Sequence, residues 1–374
     1  MRIALVLYGS LDQQSGGYFY DRKLVAYLQH RGDKIDILSL PSVGYGRALL
    51  HAPLAAKFEY GSYDVVIQDE LVHPSLWIAN RWYRRKRKRS GGPALIALVH
   101  HLRVSEAHPV WSMPLYRWVE GSFLSSVDGF ICNTPATKEN VWRLFPNEKP
   151  SVVALPSGNF PRKKPSANLN TGDGPLNLLF VGNVIPRKGL HTLLQALVYL
   201  EGLTAKTRAP QGWSVQNPVG KLLVVGNLKV DPAYVQRCKT LAEQLPAGMV
   251  QFLGSLSDEE LLPRFEQSQI LAVPSRHEGF GIVYLEAMGQ GLVPIASADG
   301  GASILIDHGQ NGFLVRPEDP EQIAEILVEL GNDRNRLAWM RRSALERAAV
   351  FPDWEASMEA AYNFIHDMAR EDLR

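Results

Sequence analysis

Two glutamates, Glu278 and Glu286, flank a glycine-rich turn in the second half of the chain. The turn consists of Gly279, Phe280, Gly281 and Ile282. It follows an apolar run and opens a stretch of helical periodicity, which places its backbone amides at a helix N-terminus. Such amides attract anions, because they have no partners within the helix and carry partial positive charge. The pattern favours a phosphate site, although an ordinary strand-to-helix turn with two solvated carboxylates fits it as well.

The stretch around this turn resembles the E-x7-E signature of retaining glycosyltransferases of family 4, which share the GT-B fold of two facing Rossmann-like domains. The resemblance includes both glutamates at their spacing and the Leu-Glu-Ala-Met that ends at Met288. It extends over essentially the whole chain and is strongest over 178–315. It implies that Glu278 contacts the transferred sugar, that Glu286 holds the ribose, and that the amides between them bind the distal phosphate.

A second strand-to-helix turn, over 180–190, resembles the phosphate-binding turn of the same family. Lys188 matches the family lysine that neutralises the leaving diphosphate, a role in which a fixed cation replaces a metal ion. Many members carry arginine directly after the strand's glycine, and this chain has Asn183 there. Arg187 is close enough to supply the missing charge, but a side chain at this position can equally point to solvent.

Two features of the first half match sugar and phosphate contacts of the family. Gly16 and Gly17 follow the first strand, where the family lets backbone amides approach the diphosphate; without the resemblance they would be a flexible loop, and the absence of G-x-G-x-x-G argues against NAD. His100 and His101 end an apolar strand, at the sheet edge where ligands bind in α/β folds. The resemblance assigns the sugar contact to His100, with a hydrogen bond that caps the strand as the alternative.

The ends of two further apolar runs, at Gly226 and Leu253, are weaker candidates for contacts to the nucleotide base. Core strands with tight turns explain them equally well. Neither position identifies the base.

Short apolar runs bounded by turn residues alternate with helical periodicity along the chain, which predicts parallel sheets covered by helices. Predicted strands are 3–7, 34–39, 64–68, 94–99, 129–132, 151–155, 176–181, 221–225, 250–253, 270–274, 293–296 and 312–315. A linker is predicted over 160–175, a surface loop over 201–219 and a helix N-terminus with a capping box at Ser257. The resulting domains are an acceptor-binding domain at 1–165, a donor-binding domain at 172–350 and a C-terminal helix at 351–374 that returns to the first domain.

Composition agrees with two soluble domains, because 374 residues exceed what one core usually supports. Residues 1–170 hold 22 basic and 13 acidic side chains, a net charge of +9, and residues 171–374 hold 18 and 25, a net charge of −7. Cys132 and Cys238 lie far apart without metal-ligand spacing, so neither a disulfide nor a zinc site is expected. No apolar stretch is long enough for a membrane span or signal peptide, and the expected location is the cytoplasm.

A run of six cations, Arg84, Arg85, Lys86, Arg87, Lys88 and Arg89, follows Trp77, Trp82 and Tyr83. This arrangement suits peripheral contact with an anionic membrane at its inner face, and a solvated helix end is the alternative. Nucleic acid has the same charge signature, but no recognised nucleic-acid motif accompanies it.

The sequence therefore predicts a metal-independent, retaining hexosyltransferase that uses a nucleotide diphosphate sugar and needs no cofactor. The acceptor is a lipid, a glycan or a small molecule. The alternatives are a nucleotide-sugar epimerase of the same fold and a non-catalytic nucleotide-sugar-binding subunit. A hydrolase is disfavoured, since Glu278 and Glu286 would have to flank one glycosidic bond, whereas one of them is expected to hold ribose.

Overall fold

The computed structural model describes residues 1–13, 15–55, 60–105, 108–146, 148–164, 169, 174–205 and 218–371; the side chains of 51–55, 88–90, 204–205 and 371 are outside the description. The chain forms two compact units. The first comprises Met1–Pro156 together with Pro352–Arg374, and the second comprises Ser157–Phe351. The domain bounds drawn from the sequence remain a prediction.

The first unit is built on a six-stranded parallel sheet in the order β2-β1-β3-β4-β5-β6. Its strands are β1 (Arg2–Tyr8), β2 (Lys34–Leu40), β3 (Val65–Asp69), β4 (Ala94–Val99), β5 (Gly129–Cys132) and β6 (Ser151–Val153). Its helices before the second unit are α1 (Gly16–His30), α2 (Tyr45–Ala55), α3 (His73–Ser90), α4 (Met113–Ser126) and α5 (Pro135–Leu144).

Both faces of this sheet are buried, because alternate residues of each strand point to opposite sides. Ile3 and Leu5 of β1 lie in one apolar cluster with α1, whereas Ala4 and Val6 lie in a second cluster with α3 and α4. Burial on both sides explains why the strands are continuous apolar runs rather than alternating ones.

The second unit repeats the architecture with the strand order β12-β11-β10-β7-β8-β9, again with all neighbours parallel. Its strands are β7 (Leu176–Val181), β8 (Val219–Val225), β9 (Val250–Gly254), β10 (Ile270–Val273), β11 (Val293–Ser297) and β12 (Phe313–Val315). Its helices are α6 (Leu190–Ala205), α7 (Pro232–Ala242), α8 (Asp258–Glu266), α9 (Ile282–Gly289), α10 (Pro320–Asn332) and α11 (Arg334–Ala349).

The terminal helix α12 (Trp354–Glu371) belongs to the first unit. Met358, Ala361 and Ile365 are buried in the cluster that also contains α1. Trp354 packs edge-on against Tyr20, with ring centroids 5.7 Å apart. The predicted return of the terminal helix to the first domain is therefore confirmed.

All twelve predicted strands are present, with ends that differ by a few residues at most. Helix α8 begins with the predicted capping box, in which Ser257 and Glu260 each accept the other's backbone amide. The predicted loop over 201–219 is wrong at both ends, because α6 continues to Ala205 and β8 begins at Val219. Residues 206–217 of that loop and half of the predicted linker, 165–168 and 170–173, lie outside the described residues.

Candidate functional site

Glu278 lies between β10 and α9, as the glycine-rich pattern predicts. Its backbone is held by the chain that follows β11: Glu278 forms a parallel bridge with Gly300, and its carbonyl accepts the amide of Gly301 at 2.7 Å. Because the backbone is fixed on this side, the direction of the carboxylate is set by the fold.

Lys188 reaches this carboxylate across 90 residues of sequence. Its Nζ donates to both oxygens of Glu278, at 2.7 and 2.9 Å. Arg187 joins the pair: its Nη1 lies 3.5 Å from Oε2 of Glu278 and donates to the carbonyl of His277 at 2.8 Å. The structure thus brings three of the predicted site residues together, and two cations surround one carboxylate.

Electrostatics keep Glu278 ionised. Burial by itself raises the pKa of its carboxyl, but the charges of Lys188 and Arg187 and the hydrogen bond from Lys188 oppose this, so that the pKa lies below its ordinary value. With the carboxylate charged, the cluster of three side chains carries a net positive charge, which suits an anionic ligand.

Helix α9 begins beside this cluster. Its N-cap is Gly281, which has the left-handed φ of 82° and provides no side chain to cap the first amides. The N-terminal amides of the helix are therefore not satisfied by a side-chain cap, and a phosphate is a natural partner for them. Inside the helix, the hydroxyl of Tyr284 donates to the carbonyl of Val273 at 2.6 Å and so ties α9 to β10.

Glu286 is half-buried on α9 and accepts the backbone amide of Asn159 at 3.0 Å. Sequence reasoning missed this contact, which gives Glu286 a structural part in holding residues 158–159 of the second unit. The contact of Glu286 with ribose remains a proposal.

Gly226 and Leu253, the weaker candidates for contact with the nucleotide base, lie at the carboxyl ends of the neighbouring strands β8 and β9. The amide of Gly182 donates to Val225 at 2.9 Å, and the amide of Gly226 donates to Gly254 at 2.9 Å. Asn183 and Leu253 are half-buried in this region. The contacts explain why glycine is needed at 226, since an ideal Cβ there would lie 1.9 Å from the carbonyl oxygen of Gly182; they do not test contact with a base.

Gly189 fixes the turn that carries Lys188, and we expect Gly189→Ala to destabilise the second unit. Gly189 has φ 73°, and an ideal Cβ would lie 2.1 Å from the carbonyl oxygen of Pro274. The left-handed backbone alone costs about 1–2 kcal/mol for alanine, and the overlap adds to it. Gly202→Ala in α6 is the matched control, because nothing lies within 4 Å of its Cβ position. Chemical denaturation measures the free energy of unfolding of both variants. An equal decrease in the two would contradict the role given to Gly189.

In the first unit, His100 is buried at the end of β4, with Nε2 2.9 Å from Oδ1 of Asp21 on α1. Asp69, at the end of β3, belongs to the same cluster. Burial by itself lowers the pKa of His100, but attraction by Asp21, its hydrogen bond and Asp69 raise it overall. Burial, and then the charge of Asp21, raises the pKa of Asp69 to about 7.

Gly16 and Gly17 form the first turn of α1, where Ser15 caps the helix by accepting the amide of Tyr18. An ideal Cβ at Gly17 would lie 3.2 Å from Cδ2 of His100, so glycine makes room for the imidazole ring. The family resemblance implies that these glycines let backbone amides approach a diphosphate, and that contact remains a proposal. Without the resemblance a flexible loop was expected, and the structure has the first turn of α1 there instead.

Two buried groups among the described residues have ligand types that hold divalent metals, with their ligand atoms within 4.8 Å of one another. The groups are Asp21, Asp69 and His100, and Glu70, His73 and Glu120. The expected metal independence is therefore a question for experiment.

Sequence reasoning also missed Asp21, although helical periodicity contains the signal: Asp21 lies on the same face as the buried residues Leu24, Val25 and Leu28. In the second unit it missed Glu318, which pairs with Arg276 and has a left-handed φ of 58°. No residue pattern indicated Glu318, because Arg276 and Glu318 are 42 positions apart.

The basic run after Trp82 is partly used within the fold. Arg84 donates to the carbonyl of Ser125 at 2.7 Å, and Arg87 is paired with Asp128. Arg85 is exposed, whereas the side chains of Lys88 and Arg89 lie outside the described residues. The membrane contact of this run remains a proposal. Over the described part of the chain, no helix combines the length and apolar character that a membrane span requires.

Comparison with known proteins gives a family match. Residues 161–347, half of the chain, match the family model described as "Glycosyl transferases group 1". The D-inositol 3-phosphate glycosyltransferase of Streptomyces avermitilis is 25% identical over 312 residues, which are 78% of this chain and 64% of that protein. The chain thus spans slightly less than two thirds of that relative.

Solved structures resemble this chain over nearly its whole length. Sucrose-phosphate synthase from Thermosynechococcus elongatus has a TM-score of 0.74 at 21% identity, over 98% of this chain and 98% of that chain. HepE from Anabaena, solved in complex with UDP and glucose, has a TM-score of 0.69 at 18% identity, over 98% of this chain and 100% of that chain. At these identities the likeness shows a common fold.

Proposed function

The chain belongs to the glycosyl transferases of group 1 and has the GT-B fold, and from this premise we propose that it is a retaining hexosyltransferase that uses a nucleotide diphosphate sugar. The acceptor is a lipid, a glycan or a small molecule. The observation that carries the proposal is the cluster of Lys188, Arg187 and Glu278 beside the N-terminus of α9.

This cluster suits a leaving diphosphate for a reason of charge. As the bond between sugar and phosphate breaks, negative charge develops on the phosphate oxygens, and positioned cations and amides stabilise it. The ammonium of Lys188 has three N–H groups, two of which are directed at Glu278. The third N–H, together with Arg187 and the N-terminal amides of α9, would donate hydrogen bonds to the phosphate oxygens.

The remaining roles follow from the family. Glu278 contacts the transferred sugar, Glu286 the ribose and His100 the sugar, while Gly226 and Leu253 approach the base. In a retaining transfer of this type, the acceptor hydroxyl attacks the anomeric carbon on the face from which the diphosphate departs. The proton of that hydroxyl passes to the departing phosphate oxygen, so no separate protein base is required.

Binding of nucleotides to the purified protein tests the donor site. UDP, GDP, ADP and their common sugar conjugates would each be added while thermal unfolding is followed. A nucleotide present at 100 times its Kd stabilises the folded state by about 2.7 kcal/mol, a readily measured rise in Tm. Stabilisation by one base would support the site and identify the donor class. If no nucleotide stabilised the protein, the donor-binding proposal would be refuted.

We expect sugar transfer to continue unchanged after metal removal. In the proposed site, the cations of Lys188 and Arg187 beside Glu278 would neutralise the diphosphate, which is the task of a divalent metal in other enzymes. The measurement compares initial rates of transfer from the stabilising donor after dialysis against EDTA and after addition of magnesium or manganese. A rate that collapses in EDTA and returns with one metal would contradict this expectation and direct attention to the two buried groups of possible ligands.

A further inference from the structure

Several large apolar side chains of the first unit are exposed on α3, α4 and the 3₁₀ turn Val110–Ser112 that precedes α4. Val110 is 87% exposed, Trp111 83%, Trp82 56% and Trp118 55%. A single exposed apolar residue needs no explanation, but a group of large ones indicates an interaction surface. Four of the eight tryptophans of the chain, at 77, 82, 111 and 118, lie in these elements.

The exposed side chains lie on neighbouring faces of two helices. Leu115 and Trp118 are three residues apart and share one face of α4, and Trp111 lies in the 3₁₀ turn directly before that helix. Ile78 and Trp82 are likewise one turn apart on α3. The two helices are joined by Trp77 and Trp118, whose ring centroids are 4.7 Å apart. We call this group the tryptophan surface: Ile78, Trp82, Val110, Trp111, Leu115 and Trp118.

The exposed charged side chains of α3 and α4 are all of one sign. Arg81 and Arg85 of α3 and Arg117 of α4 are exposed. The one acidic residue of the two helices, Glu120, is buried and accepts the backbone amides of Arg103 and Val104 at 2.7 and 3.1 Å. The described residues of α3 and α4 therefore combine exposed indole rings with exposed arginines, and none of them has an exposed carboxylate.

We propose that the tryptophan surface docks on a lipid bilayer that contains anionic lipids. Indole rings prefer the boundary between headgroups and acyl chains, where the apolar body is buried and the N–H stays hydrated. Arginines beside them would pair with lipid phosphates and gain from the negative surface potential. Contact between two copies of the chain through this surface is disfavoured, because it would bring Arg81, Arg85 and Arg117 of each copy together.

This proposal modifies the sequence expectation for the basic run. Arg84 and Arg87 bond within the fold, so the cations assigned to the membrane are Arg85 of the run together with Arg81 and Arg117, which lie outside it. The apolar contribution comes from the tryptophans, which predicts binding that high salt weakens without abolishing. The inference does not rest on the transfer activity, since it concerns a different set of residues.

The test measures co-sedimentation of the full chain with vesicles of phosphatidylcholine alone and of phosphatidylcholine with phosphatidylglycerol, without donor. Wild-type protein should bind the anionic vesicles, and Trp111→Ser with Trp118→Ser should weaken binding by about tenfold or more. Arg81→Glu with Arg85→Glu and Arg117→Glu should remove the preference for anionic vesicles. Trp339→Ser on α11 is the matched control, because Trp339 is 52% exposed in the second unit.

Two readouts keep the result independent of folding. Thermal unfolding of each variant shows whether the substitutions are tolerated, and quenching of wild-type tryptophan fluorescence by brominated lipid reports insertion without any mutation. Undiminished binding of the double tryptophan variant, an equal loss in Trp339→Ser, or absence of quenching would each overturn the proposal. A dimer in size-exclusion chromatography that the double variant abolishes would also overturn it, and would assign the surface to self-association.

Discussion

Lys188→Ala should lower the rate of sugar transfer by at least about two orders of magnitude, the usual effect of removing one group that stabilises developing charge. Lys188 donates to both oxygens of Glu278, and its ammonium has a third N–H group that can donate to a phosphate. Without it, the leaving diphosphate loses its fixed cation. The measurement is kcat and KM for the donor that stabilises the protein, with the loss expected mainly in kcat because charge develops in the transition state.

The control for this prediction is Lys229→Ala, which removes an exposed lysine of the second unit. Lys188→Ala also removes the main neighbour that keeps Glu278 ionised, so its unfolding should be compared with that of the wild type before rates are interpreted. An unchanged kcat in a folded Lys188→Ala variant would refute the leaving-group role. The same outcome would favour the non-catalytic subunit, toward which Asn183 in place of the usual arginine points.

The residues of this cluster show what the sequence can predict. The twelve strands follow from apolar runs, because strands buried on both faces require them. Lys188 and Glu278 each lie where a strand turns into a helix, and the carboxyl edge of a parallel sheet collects such turns. The sequence pattern and the parallel topology therefore predict that Lys188 and Glu278 lie at the same edge of the second sheet.

The contacts within that neighbourhood were beyond the sequence. Local patterns do not encode the pairing of Lys188 with Glu278 or of Glu286 with the amide of Asn159, which depend on how separate segments pack. The basic run is a second example. Its sequence shows six cations, but it does not show that two of them bond to Ser125 and Asp128 within the fold. The packing of Gly17 against the ring of His100 is a further contact between separate segments that no local pattern indicated.

The cluster in the first unit gives the other large expected effect, because folding raises the pKa of Asp69 and keeps its carboxyl protonated to higher pH than in the unfolded chain. Burial and the charge of Asp21 raise its pKa to about 7, against about 3.9 for an unperturbed Asp. Between these values the native state binds more protons than the unfolded state, so stability falls as pH rises and levels off above pH 7. The expected loss is on the order of 2–4 kcal/mol. The pKa of His100 is also raised in the folded protein. His100 therefore lowers the free energy of unfolding further as the pH rises above the pKa of histidine in the unfolded chain.

Asp69→Asn should remove most of this decline and leave the variant more stable than the wild type above neutral pH. Asn retains an oxygen for the bond that Oδ1 of Asp69 accepts from the amide of Leu71 at 2.9 Å. Asp36→Asn is the control of opposite sign: the hydrogen bond from Arg2 lowers the pKa of Asp36, so its contribution is lost as pH falls rather than as it rises. Hydrogen exchange of β3 and β4 amides, measured in EDTA from acid to mildly alkaline pH, assigns the effect to the first unit. If the stability of wild type and Asp69→Asn changed with pH in the same way, Asp69 would be ionised in the folded protein. The negative charges of Asp21 and Asp69 would then have to be balanced by another group.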